Sequence, residues 1–112
     1  MLGTKTSDAL IEVYLILYYI AENPFTSRQE LSDFITRYRV MKSDEEPNAE
    51  RKPIVVSAIT VSRQIAFIRK SFNVEIHSSR KGFKVSKWGI LNPNQFKQMI
   101  ESQVDITRLM RN

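Results

Sequence analysis

The chain has 112 residues, 42% of them hydrophobic and 26% charged, enough for one small domain with its core but not for a second domain. It contains no cysteine, which excludes a disulfide framework and a thiolate metal site and suits a cytoplasmic setting. The net charge of +5 conceals a division: residues 1–50 carry five basic and nine acidic side chains, residues 51–90 nine and one, and residues 91–112 three and two.

Thr6 or Ser7 opens the first predicted helix, over about residues 7–22, and Asn23-Pro24 stops it, because proline forces its predecessor into extended backbone. Its apolar run Ala9 to Ala21 is broken only by Glu12, and its 13 residues fall short of the roughly 20 that span a bilayer. With neither a basic lead-in nor a small-residue cleavage site, the run reads as a helix buried on more than one side, and no membrane contact is expected.

A second helix is predicted over about 27–38, where Thr26 with Gln29, or Ser27 with Glu30, offers a capping box. Leu31, Phe34, Ile35 and Tyr38 form its buried face. Arg28, Ser32, Arg37 and Arg39 lie elsewhere on it, with Arg28 placed to reach a phosphate. A mobile solvent loop is expected over about 40–54, because Met41 to Pro53 includes Asp44, Glu45, Glu46, Pro47 and Asn48 and almost nothing apolar. Its acidic cluster lacks the turning glycine and downstream glutamate of a calcium loop, so no metal is expected.

Ser57 caps a third helix, predicted over about 58–72. Ala58, Val61, Ile65, Ile68 and Phe72 recur on its core side, while Ile59, Thr60, Arg63, Ala66, Phe67 and Lys70 fall opposite and Arg69 near the boundary. After Asn73 the period changes to two. Val74, Ile76 and Ser78 alternate with Glu75 and His77, a turn of Ser79, Arg80, Lys81 and Gly82 follows, and Phe83 and Val85 resume the inward set. The pattern predicts an antiparallel hairpin over 74–86, with Trp88 seating it against the first or the last helix.

Asn92, Pro93 and Gln95 open a final helix, expected over about 93–110, whose stripe is Phe96, Met99, Ile100, Gln103, Ile106, Thr107 and Met110. The first helix has apolar residues of its own to spare among Tyr14, Ile16, Tyr18 and Ile20. Two surplus apolar surfaces lead to the expectation of a homodimer through helix 1 and the C-terminal helix, which would place two copies on a palindromic site.

Across residues 8 to 91 the chain resembles the winged helix-turn-helix of DeoR-like repressors and WYL-domain regulators. The matching residues are Val56, Ser57, Thr60, Val61, Arg63, Ile65, Ile68, Val74, Ile76, Gly82, Phe83 and Val85. The resemblance implies a bacterial or phage DNA-binding domain, mainly α with a small β-hairpin, here with an additional C-terminal helix. Two departures mark this chain. The connection between helices 2 and 3 is long where the family has a short turn, and relatives often carry basic or polar residues where Ala58, Ile59 and Ser62 stand, and an acid in place of Gln64.

Double-stranded DNA is therefore the expected partner, since a basic surface on one unit gains affinity by releasing counterions condensed on the duplex. Arg63 is the candidate for a bidentate guanine contact, and Ile59 and Ala66 for thymine methyls. Ser57 and Thr60 can bond phosphate, Ser62 lies on the flank, and Arg69, Lys70, Arg80, Lys81, Lys84 and Lys87 are expected chiefly on phosphates. The alternative is a protein-interaction module whose contact patch is Ile59, Ala66 and Phe67, although Phe67 can also pack beneath the long loop. RNA binding, a third class, needs stacking aromatics on an open sheet, which the chain scarcely offers. No catalysis, cofactor or metal is expected. His77 is the sole histidine, Tyr14, Tyr18 and Tyr19 lie in an apolar helix, and Gly3, Gly82 and Gly89 form no phosphate-cradling loop.

Overall fold

The computed structural model describes residues 7–46 and 54–111. It is mainly helical with one two-stranded antiparallel hairpin, in the order α1 (Asp8–Glu22), α2 (Arg28–Glu45), α3 (Ala58–Phe72), β1 (Glu75–Ser79), β2 (Gly82–Lys87), α4 (Pro93–Gln103) and α5 (Ile106–Met110). No described helix is long and apolar enough to cross a membrane.

The helix starts follow from side-chain capping of free amides. Ser7 accepts from the Leu10 N–H, Ser57 from Thr60, Asn92 from Gln95 and Asp105 from Arg108. Of the two boxes offered at α2, Ser27 with Glu30 forms, each side chain bonding the other's backbone N–H. α3 closes on Asn73, which takes the left-handed conformation (φ 55°) that asparagine tolerates better than most residues.

α1 is the centre of the fold. Ile11, Leu15, Ile16, Leu17, Tyr18 and Ile20 are all buried because α2, α3, α4 and β2 surround it. Glu12 is buried with them, and the Arg39 guanidinium of α2 meets it with two hydrogen bonds of 2.9 and 3.0 Å. A chain of ring contacts runs from Trp88 through Phe96 and Tyr14 to Phe72, at centre distances of 5.5, 5.7 and 5.8 Å, so Trp88 seats the hairpin's exit against α4.

Several expectations are corrected. α2 runs to Glu45 rather than ending near residue 38, because Met41, 7% exposed, extends the buried stripe. Lys42–Glu46 and Arg108–Glu45 ion pairs of 3.1 and 3.7 Å support the added turns. The expected loop thus begins later, and its residues 47–53 lie outside those described. The C-terminal helix is two helices: Val104 is buried in extended backbone, and Asp105 caps a fresh start. Gln103 and Thr107, expected in the stripe, are exposed, as are Ala58 and Ser78, while Val104 and Leu109 are buried in their place. Most important for assembly, the two apolar surfaces expected to pair copies are largely consumed internally. Tyr18, Ile16 and Ile20 are buried around α1, and Phe96 and Ile100 of α4 are buried with α4 packed against α1. Most of the apolar residues expected to pair copies are thus engaged within one copy, while Tyr14, Met99, Ile106 and Met110 are half-buried.

The hairpin pairs Ile76 with Val85, His77 with Lys84 and Ser78 with Phe83. Thr26, between α1 and α2, bridges to Phe83 as a one-residue third strand. The Phe25 N–H donates to the Phe83 carbonyl and the Phe83 N–H to the Thr26 carbonyl, both at 2.8 Å. Gly82 is required here: at φ +123° a Cβ would lie 2.5 Å from the Phe25 and Thr26 carbonyl oxygens. Gly89 acts likewise at the hairpin's exit, where a Cβ would lie 2.2 Å from the Phe72 oxygen.

Candidate nucleic-acid interface

The start of α3 is set by α2. Val56 is buried directly before the Ser57 cap, and both its backbone polar groups are held by side chains of one α2 turn. The Ser32 hydroxyl donates to the Val56 carbonyl, and Thr36 Oγ1 accepts from the Val56 N–H at 3.2 Å. Thr36 itself donates to the Ser32 carbonyl at 2.8 Å. Val56 also flanks the cap opposite buried Val61, the arrangement of a hydrophobic staple. The long connection therefore ends in a fixed geometry.

From that start, Val61, Ile65 and Ile68 enter the core, which turns Ile59, Ser62, Arg63, Ala66, Phe67 and Lys70 outward. Ile59, Arg63, Ala66 and Lys70 follow at steps of four, three and four residues, so they form one exposed row about 16 Å long. Ile59 is 64% exposed and Phe67 46%. Phe67 rests edge-on against Phe72 at 6.0 Å. No described carboxylate pairs with Arg63 or Lys70.

Arg69 has an internal partner in addition to its exposed position. Its guanidinium donates to the Ile76 carbonyl at 2.7 Å, tying α3 to β1, so it serves the junction between helix and hairpin. Ser57 and Thr60 are also partly engaged, since the Ser57 oxygen caps the Thr60 N–H and lies 3.1 Å from the Thr60 hydroxyl.

The hairpin brings its cations to the α1–α2 turn. The Nζ atoms of Lys81 and Lys84 lie 5.9 and 5.7 Å from the centre of the Phe25 ring. The Arg28 guanidinium, in the first turn of α2, lies 5.5 Å from the centre of the Phe83 ring. Arg28, Lys81 and Lys84 thus gather where α2 meets the hairpin. Arg80 is exposed in the turn itself, and Lys87 is paired with Glu75 at 3.6 Å. Phe25 was not among the residues expected to matter, and no signal in its surroundings beyond an aromatic after Asn-Pro marks it.

Acidic groups collect at the other end of α2. Asp44, Glu45 and Glu46 close this helix of 18 residues, about 27 Å from Arg28, with Asp8, Glu45 and Asp105 lining one depression beside them. Lys97 and Arg108, outside the α3–hairpin unit, are paired with Glu22 and Glu45. Among the described residues no group of three histidines or carboxylates converges as a metal centre requires.

Compared with known proteins, the chain matches no family model, no curated protein sequence and no solved structure.

Proposed function

We propose that this protein binds double-stranded DNA as a winged helix, with α3 as the recognition helix and β1–β2 as the wing. The observation that carries the proposal is the distribution of charge: between Ser57 and Lys87 there are seven basic side chains and one acidic, and that acid is already paired with Lys87. The order α1, Thr26 bridge, α2, α3, β1, β2 supports the same reading.

Binding alone is the mechanism. The row Ile59, Arg63, Ala66 and Lys70 enters the major groove, where Arg63 bonds a guanine edge and Ile59 and Ala66 meet thymine methyls. Ser62 flanks this row, and Ser57 and Thr60 approach a phosphate at the helix start. Arg28, Lys70, Arg80, Lys81 and Lys84 contact phosphates, which fix register without reading sequence. Arg69 contributes through the junction it holds. We propose one copy per site, since most of the apolar residues expected to pair copies pack within the single copy. Control of transcription in a bacterium, phage or plasmid is the setting implied by the resemblance, and there this domain acts by occupying its site.

Selection of bound fragments from random duplexes, followed by fluorescence anisotropy over a salt series, tests the proposal. Arg63→Ala is expected to cost about 1–3 kcal/mol on the selected site and to relax one base position, whereas Lys81→Ala weakens all duplexes alike and lowers the salt slope by about one. Affinity independent of salt refutes the proposal.

The exposure of Ile59 and Phe67 on the face that bears Arg63 favours one other reading, a groove-binding surface for a partner protein. In that case an Ile59→Ser, Phe67→Ser variant abolishes an interaction that salt leaves unchanged.

A further inference from the structure

Phe25 stands in an unusual position for an aromatic residue. Its backbone has φ 68°, where a side chain is strained and glycine or asparagine is the usual occupant. Its ring is 46% exposed and adds little to the core. It is nevertheless pinned: its N–H is bonded to the Phe83 carbonyl, its own carbonyl lies so near Gly82 that no side chain fits there, and the next residue bridges to β2. Strain retained at a surface site, together with a ring left about half exposed, points to a role for the ring beyond packing.

What the ring holds is two lysines. Lys81 and Lys84 converge on it from the hairpin, bringing two like charges to one aromatic side chain, with Arg28 next to them over Phe83. No described carboxylate pairs with any of the three. Mutual repulsion of two ammonium groups is relieved when an anion lies between them. An aromatic face also restricts two otherwise floppy side chains before that anion arrives, which removes part of the ordering cost of binding.

We propose that Phe25 is a positioning residue for a phosphodiester site formed by Lys81, Lys84 and Arg28, separate from α3 and engaged by the backbone of the same duplex; this rests on the DNA-binding proposal above. Leucine matches the bulk of phenylalanine without its π face, and tyrosine keeps that face. Phe25→Leu weakens duplex binding about fivefold with an unchanged salt slope, because the lysines still reach the phosphates, and Phe25→Tyr retains the original affinity. Phe25→Gly weakens binding as well, while its urea midpoint stays equal or rises as the backbone strain is relieved, which separates the effect from misfolding. Equal affinity of Phe25→Leu and the unmodified protein overturns this inference alone, as does an equal loss in Phe25→Tyr. Absence of salt-dependent duplex affinity in the unmodified protein overturns the DNA-binding proposal together with it.

Discussion

Removing the hydroxyl of Ser32 is expected to loosen the start of α3 from a distance. Ser32 is buried on α2 and its hydroxyl donates to the carbonyl of buried Val56, so Ser32→Ala leaves that carbonyl without its partner. An unsatisfied buried polar group costs about 1–3 kcal/mol, whereas the cavity left by one oxygen adds little. Thr36→Val keeps the side chain's shape and removes the acceptor of the Val56 N–H, for a similar cost. Since each kcal/mol is worth roughly 4 °C in a domain of this size, either change lowers Tm by several degrees. The double variant loses less than the sum, because loosening Val56 through one bond already weakens the geometry of the other. Urea unfolding followed by circular dichroism measures all three, with Ser62→Ala, exposed on α3, as the unaffected control. Losses in both single variants no larger than that of the control would refute the clamp.

Gly82→Ala forces a Cβ to within 2.5 Å of two carbonyl oxygens at φ +123°, so a loss of about 2 kcal/mol or more is expected from thermal unfolding; a smaller one shows that the α1–α2 turn yields freely. Burial holds the phenols of Tyr18 and Tyr38 above the ordinary tyrosine value of 10.0, with the hydrogen bond to Glu101 and its charge adding at Tyr18 and nearby Asp8 and Glu12 at Tyr38. The unfolded chain releases these protons first as pH rises, so the contribution of these two groups to stability is constant below about pH 10 and is lost above it. Tyr38→Phe flattens that fall, and an equally steep fall in this variant refutes the assignment. Sedimentation of the free protein at micromolar concentration is expected to return the 13.1 kDa mass of one copy; twice that mass would require a pairing surface other than those buried around α1 and α4.

Most of this fold could be read from side-chain period and caps. Ser7, Ser57 and Asn92 mark starts that the structure confirms, and the change of period after Asn73 locates the hairpin. The extension of α2 was hidden because residues 40–45 gain helix from one buried methionine and from ion pairs, one of them to α5, which no local pattern shows. The break at Val104 was hidden for the opposite reason: a stripe at helical spacing continues across it, and only the tertiary burial of Val104 in extended backbone interrupts it. For the candidate site, the outward row of α3 was evident from the places of Val61, Ile65 and Ile68. The bond that Arg69 makes to the hairpin was not legible because its carbonyl partner lies in another element. The roles of Ser32, Thr36 and Phe25 depend on contacts with residues 20 to 58 positions away, beyond the reach of any periodicity.

The two ends of α2 differ in more than their neighbours. Asp44, Glu45 and Glu46 add their charge to the negative pole that any helix carries at its C-terminus, while the other end adjoins the lysines of the hairpin. On the DNA-binding proposal, such a molecule would experience a torque in the field of the duplex. It would rotate as it diffuses, so that encounters made tail-first are repelled and those made hairpin-first are drawn in. Arrival would then be oriented before any atom touches, and the rate of productive collision would fall as added ions shorten the range over which the turning acts.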